Sequence, residues 1–243
     1  MYERGIAIVA LTKHGIATAT RIARGLKKIQ IRCVIYSFES IQTAGITPFD
    51  GDLKGLFAKL FVTFDGIVAV MAVGIVVRSI APIIADKKID PAVVVIDDLG
   101  KYAVSLLSGH IGGANRLTKI VAAQIGAIPV VTTATDLLGL KSVEEVAEEH
   151  GLKIVNPDSL TPINSAIVNG RKILFATIDH VSNLETDVYP PLPIASIDEL
   201  ERIMKDYDAG ILIAPKIVSL EKIRKPVALL TPKSKPLATR TNQ

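Results

Sequence analysis

The sequence predicts an α/β protein: a layered α/β/α N-terminal domain on a mostly parallel, mixed sheet, followed by a smaller α/β domain. Three observations carry this. Apolar runs of strand length alternate with stretches of helical spacing, the pattern of a layered fold with a largely parallel sheet. Two adjacent strand-like runs flank the compact turn Asp98-Leu99-Gly100-Lys101, which predicts a hairpin and makes the sheet mixed. After Leu138 a shorter series of similar segments begins, which divides the chain into domains 1–138 and 139–243.

In order, residues 6–11 read as a strand, Thr12-Lys13-His14-Gly15 as a turn, 16–29 as a helix and 31–36 as a second strand. Residues 53–61 are helical, 66–72 form a third strand closing on Gly74, and 75–84 begin as a helix that Pro82 limits. Residues 92–97 and 102–107 are the hairpin strands. Leu117, Ile120, Val121 and Ile125 then share one helical face before the strand that ends in Thr132-Thr133-Ala134-Thr135-Asp136. In the second domain, 143–150 is a helix whose Glu144, Glu145, Glu148 and Glu149 form a solvated face. Strands are expected at 153–155, 172–178, 209–213 and 227–230, a helix at 197–205, and a stiff connector at Tyr189-Pro190-Pro191-Leu192-Pro193.

Hydrophobic residues make up 49% of the 243, enough for a sizeable core. A single cysteine, Cys33, excludes an intramolecular disulfide and fits a reducing cytoplasm. No signal peptide is visible, and the longest apolar stretch, 66–77, is too short to span a bilayer. The net charge of +4 is mild, and the basic residues are scattered without interleaved aromatics, so neither nucleic acid nor membrane is an expected partner. The dense basic tail, 233–240, reads as a solvated end.

Four loops could carry chemistry, and a parallel sheet would collect them at its carboxyl edge, where ligands gather in open α/β sheets. They are Thr12-Lys13-His14-Gly15, the Gly74–Arg78 segment, Ser108-Gly109-His110-Ile111-Gly112-Gly113-Ala114-Asn115, and the segment from Thr132 to Asp136. Together they offer two imidazoles, a lysine, an arginine, hydroxyls, a carboxylate and backbone N–H groups. That inventory suits recognition of carboxylates or phosphates with acid–base chemistry. Each piece also has a plainer reading: Asp136 as a helix cap, Arg78 as an ion-pair partner, the glycines as packing residues. His150 and His180 have no supporting neighbours and read as structural. A Gly-Lys-Ser/Thr phosphate cradle, a dinucleotide fingerprint, a Gly-x-Ser-x-Gly elbow and a zinc signature are all absent.

At these residues the chain resembles the CbiG family, the cobalt-precorrin-5A hydrolases of anaerobic cobalamin biosynthesis. The resemblance rests on Gly74-Ile75-Val76-Val77-Arg78 with Ile80-Ala81-Pro82, Asp86-Lys87, and Asp90-Pro91 with the valines after it. It rests further on the run from Ser105 to Asn115 and on Val131-Thr132-Thr133-Ala134-Thr135-Asp136; Asn156-Pro157 and Asn164 match the family's middle region. It covers 1–138 as the family's N-terminal domain. The resemblance implies a cobalt-bearing, ring-contracted tetrapyrrole substrate whose δ-lactone is opened, with the extruded carbon leaving as acetaldehyde to give cobalt-precorrin-5B. Cobalt arrives inside the substrate, so neither a cofactor nor a protein metal site is expected. By residue chemistry His110 is the first candidate base, with His14 or Asp136 as proton shuttle. Gly112 and Gly113 are candidate oxyanion donors. Lys13, Gly74, Arg78, Ser108, Gly109, Asn115, Thr132, Thr133 and Thr135 are the expected substrate-binding residues.

Family members usually continue into a C-terminal domain, whereas this sequence stops at Gln243. A separate polypeptide carrying that domain is therefore an expected partner. The rival reading is a non-catalytic subunit that holds the intermediate for such a partner. The sequence leaves a homodimer open.

Overall fold

The computed structural model describes residues 2–38, 44–50, 52–86, 89–110, 112–178 and 191–233. Of the residues singled out above, Lys87, Ile111, His180, Tyr189, Pro190 and the tail beyond Lys233 lie outside these, as does the side chain of Thr135. The chain forms two compact units, the first ending at Thr133 and the second beginning at Ala134.

The first unit runs β1 (Ile6–Ala10), α1 (Lys13–Lys28), β2 (Cys33–Phe38), β3 (Ile46–Phe49), α2 (Leu53–Thr63), β4 (Gly66–Val70), α3 (Val73–Ile80), β5 (Ala92–Ile96), β6 (Tyr102–Leu107), α4 (Ala114–Ile125) and β7 (Ile128–Val130). Its seven strands are ordered β3-β2-β1-β4-β5-β6-β7. Alternate residues of a strand face opposite sides, and helices cover both. Ile6, Ile8 and Ala10 pack with Ile16, Ile22 and Leu26 of α1 and Leu117 and Val121 of α4. Ala7 and Val9 pack with Phe57 and Leu60 of α2 and Val76 and Ile80 of α3. The result is the expected α/β/α layering.

Two local chemistries fix how the loops fall. Thr12 is the N-cap of α1, its Oγ1 accepting from the Gly15 N–H at 2.9 Å, so residues 13–15 are the first helical turn and not a free turn. The Asp97 carboxylate accepts from the N–H groups of Leu99, Lys101 and Tyr102, and Gly100 supplies φ +71°, which closes the predicted hairpin.

That hairpin corrects the one-edge expectation. Strands β1 to β5 run parallel, β6 is antiparallel to β5, and β7 follows β6. The loops after β6 and β7 therefore leave at the edge where β1, β4 and β5 begin. We call this the entry edge and the opposite one the exit edge. The packing agrees: a Cβ on Gly112 would lie 3.2 Å from the carbonyl of Asp90, just before β5, and the Tyr2 hydroxyl donates to the Gly113 carbonyl at 2.7 Å. The first two loops, with Lys13, His14, Gly74 and Arg78, lie at the exit edge. A strand of five residues, roughly 17 Å at 3.3 Å per residue, separates the two groups.

The second unit comprises α5 (Ala134–Leu137), α6 (Val143–Glu149), β8 (Leu152–Ile154), α7 (Leu160–Val168), β9 (Ile173–Ile178), β10 (Leu192–Ile194), α8 (Ile197–Ile203), β11 (Ala209–Ile213) and β12 (Val227–Pro232). Its five strands are ordered β10-β9-β11-β12-β8, with only β8 antiparallel to its neighbour. Strand β10 occupies part of the expected connector, and Pro193 is tolerated there because the strand is at a sheet edge. The acidic face of α6 is a second correction. Glu145 accepts from the Ser142 N–H, and the Ser142 Oγ accepts from the Glu145 N–H in a capping box. Glu144 accepts from Asn164 Nδ2 at 2.7 Å while Asn164 Oδ1 accepts from the Val143 N–H, which staples α7 to the start of α6. Ser142→Ala is expected to lower stability by about 1–2 kcal/mol, since this cap is fully buried, as read from the urea midpoint of the transition assigned to this unit.

Candidate functional site

At the entry edge the residues from Ser108 to Asn115 form a tightly determined loop. Ser108 holds φ +59°, a region that strains any non-glycine residue. Its carbonyl accepts from the Ala114 N–H, and the Gly109 carbonyl accepts from the Asn115 N–H, each at 3.0 Å. The glycines are needed for close approach: a Cβ on Gly112 would sit 2.4 Å from the Ser108 Cβ, and one on Gly109 would sit 2.9 Å from Asn115 Oδ1. Asn115 is only 6% exposed and ties the loop to two strands' ends. Its Oδ1 accepts from Ser105 Oγ at 2.7 Å, and its Nδ2 donates to Thr133 Oγ1 at 2.9 Å. Within this frame the Ser108 hydroxyl is buried without a hydrogen-bond partner among the described residues. His110, half-buried, follows two residues later.

This bonding corrects one expected role. The Gly113 N–H donates to the His110 carbonyl at 3.0 Å, and Ala114 and Asn115 are engaged as above. The start of α4 is thus largely satisfied by its own loop, and Gly113 is not an oxyanion donor. Thr132 is exposed beside this loop, whereas Thr133 belongs to the Asn115 network. Asp136 sits in the first turn of α5, in the second unit.

The exit edge holds the other expected residues at the switch point of the sheet. Here α1 leaves β1 toward one face and α3 leaves β4 toward the other, the arrangement beside which doubly wound folds bind ligands. Lys13 and His14 are exposed in the first turn of α1. Arg78 is exposed on α3, where its Nη1 donates to the Gly74 carbonyl at 3.1 Å; that bond is its only one among the described residues. Val73, Ile75 and Val77 are exposed next to it. Asp98 is a residue that sequence reasoning missed. It accepts from Thr12 Oγ1 through Oδ2 and from Thr18 Oγ1 through its carbonyl, while Oδ1 is buried without a partner among the described residues. The only signal in the sequence was a second aspartate in the hairpin turn, which reads equally well as a turn residue.

Several groups among the described residues are shifted by their surroundings, including the Tyr36 phenol, which burial pushes up. Burial pushes the Tyr2 phenol well above its ordinary range, so it stays a neutral donor to Gly113. Burial alone would raise the Asp65 carboxyl, but the side-chain and backbone hydrogen bonds from Arg4 hold it below the ordinary value. The Cys33 thiol is pushed up by burial, which keeps it protonated and unreactive. The exposed Asp198–Lys222 pair shifts each partner toward its charged form.

The comparisons with known proteins agree with this fold. The family described as Cobalamin synthesis G N-terminal matches residues 55–136, and Cobalamin biosynthesis central region matches residues 141–232. The first match includes Gly74, Arg78 and the whole Ser108–Asp136 stretch but begins after Lys13 and His14. A cobalt-precorrin-5A hydrolase of Priestia megaterium is 41% identical over 177 residues, covering 70% of this chain and 46% of that protein. One from Salmonella typhimurium is 37% identical over 169 residues, covering 69% and 47%. The chain thus spans about half the length of the curated relatives it matches. The crystal structure of a cobalamin biosynthesis protein G homologue from Sulfolobus solfataricus superposes with a TM-score of 0.54 at 24% identity, over 95% of this chain and 61% of that one, and shows the shared fold. With consecutive matches to both regions along one chain, this protein belongs to the cobalamin biosynthesis protein G family and carries its N-terminal and central regions.

Proposed function

We propose that this chain acts in the hydrolysis of cobalt-precorrin-5A, opening the δ-lactone and releasing acetaldehyde to give cobalt-precorrin-5B, with the Ser108–Asn115 loop as the reacting site. The observation that carries the assignment is the strain at Ser108 beside His110: a left-handed φ, with a buried hydroxyl that no described group satisfies. Such conformations persist where the surroundings over-determine them, and they cluster at reacting sites. The loop also lies inside the segment matched by the family, whereas His14 does not.

In this reading the His110 imidazole takes a proton from the water that attacks the lactone carbonyl, and the Ser108 hydroxyl donates to the carbonyl oxygen as negative charge grows there. With the Gly113 N–H engaged, this serine takes its place as a donor beside the Gly112 N–H, the other expected one. The ring oxygen leaves with a proton returned from His110, as a hydroxyl on the extruded carbon. That hydroxyl then gives up its proton as its C–O becomes the carbonyl of acetaldehyde, while the electron pair of the broken carbon–carbon bond passes to the macrocycle, which takes up a proton. Asn115 positions the loop and does not touch the substrate. Lys13, His14 and Arg78, at the far edge of the sheet, take no part in this step.

Incubation of this chain with cobalt-precorrin-5A under single-turnover conditions tests the proposal, with acetaldehyde as the readout. Acetaldehyde in amounts stoichiometric with substrate supports it. Tight binding of the substrate with no acetaldehyde formed would favour the intermediate-holding reading instead.

A further inference from the structure

One cavity of the first unit contains none of the residues discussed above as site candidates. It is a groove of about 750 Å³ at the entry edge, between the outer side of α1 and the start of β2. Four cations line it, Arg4, Arg24, Lys27 and Arg32, and among the described residues no carboxylate does. Its floor is apolar: Ala23, Ile31, Cys33, Ile35 and Phe64. The volume falls in the range of small-molecule sites, which pair an apolar lining with a few placed polar groups.

The four cations divide by what already holds them. Arg4 pairs with Asp65 at 2.6 Å and donates to the carbonyls of Val62 and Phe64, and Arg32 donates to the Glu3 carbonyl. These two are fixed wall groups. Arg24 and Lys27 are exposed, three residues apart on one side of α1, and neither has a partner among the described residues. Lys27 lies in the last helical turn, where the helix dipole favours a cation without any ligand. That account does not extend to Arg24, to Arg32 beyond the helix, or to the lack of an acidic group in the groove lining among the described residues. Like charges gathered over an apolar floor are unfavourable unless an anion joins them.

We propose that this groove binds a polycarboxylated ligand with a broad apolar body, its ring on the floor and its carboxylates on Arg24 and Lys27. The identification of that ligand with the tetrapyrrole substrate rests on the function proposed above; the binding chemistry does not. Groove and Ser108–Asn115 loop share one edge, so the groove would hold the peripheral acid groups while the loop reacts. No exit-edge cation is needed for this.

The test titrates the full chain with uroporphyrin III, an octacarboxylate on an apolar ring, following the porphyrin absorbance band, with its octamethyl ester and with citrate as separate probes. Arg24→Glu with Lys27→Glu is expected to weaken uroporphyrin binding by about 100-fold, some tenfold for each ion pair removed. Arg24→Lys with Lys27→Arg keeps binding near wild type, and neither the ester nor citrate binds comparably. The charge-matched reversal Lys54→Glu with Lys59→Glu, on α2, leaves binding unchanged. Equal loss in both reversals, unchanged affinity in the groove reversal, or no binding by the wild type overturns the inference. Acetaldehyde release is scored separately: turnover with an unaltered KM in the groove reversal removes the groove and leaves the proposed reaction standing.

Discussion

His110→Asn is expected to slow single-turnover acetaldehyde release by about 10²–10⁴-fold, the usual contribution of a general base, with little change in substrate affinity. Asparagine fills similar space but cannot accept the proton from water. The informative control is His14→Asn, which is expected to turn over near the wild-type rate. Both histidines sit beside glycines at the start of a helix, and only the topology separates them: α1 begins at the exit edge, whereas the loop leading to α4 lies at the entry edge. The two variants together therefore test the edge as well as the residue. Normal turnover in His110→Asn with loss in His14→Asn would move the site to the switch point and leave the Ser108 loop a structural latch.

The layering was legible because it follows from side-chain chemistry read locally. The Ile- and Val-rich runs of β1, β4 and β5 are buried at every position, and no pattern but a sheet covered on both faces accommodates that. The hairpin between β5 and β6 was equally legible from Asp98-Leu99-Gly100-Lys101. Its topological consequence is less local. A hairpin reverses the next strand, so β6 and β7 deliver their loops to the edge opposite that of β1 and β4. The carboxyl-edge rule for parallel sheets does not reach across that reversal.

Edge strands were the weakest part of the sequence signal. β3 and β10 are short and contain Pro48 and Pro193, residues that read as breakers unless one knows that the strand has a neighbour on one side only. Site chemistry was hidden for a related reason. The engagement of the Gly113 N–H, the orphaned Ser108 hydroxyl and the capping role of Glu145 all depend on backbone geometry that residue identity does not specify. The groove was hidden more completely still, because Arg4, Arg24, Lys27 and Arg32 belong to three separate segments and look scattered along the chain.

Asn115→Ala is expected to destabilise the first unit by about 2–4 kcal/mol, the sum of two broken hydrogen bonds near 1 kcal/mol each and a small buried cavity. The side chain accepts from Ser105 on β6 and donates to Thr133 after β7, so it joins the ends of two strands to the start of α4. Its truncation leaves Ser105 without this acceptor and removes the packing that confines Gly109, whose missing Cβ is what lets Asn115 sit there. Ser105→Ala alone is expected to cost about 1 kcal/mol, and the double variant less than the sum, because both substitutions remove the same bond. Urea unfolding, followed through the transition assigned to the first unit, measures all three. If Asn115 also positions His110, as proposed, Asn115→Ala reduces kcat at temperatures where the protein remains folded, and Ser105→Ala reduces it less. A folded Asn115→Ala protein with wild-type kcat would confine this residue to stability and separate the strained loop from the chemistry assigned to it.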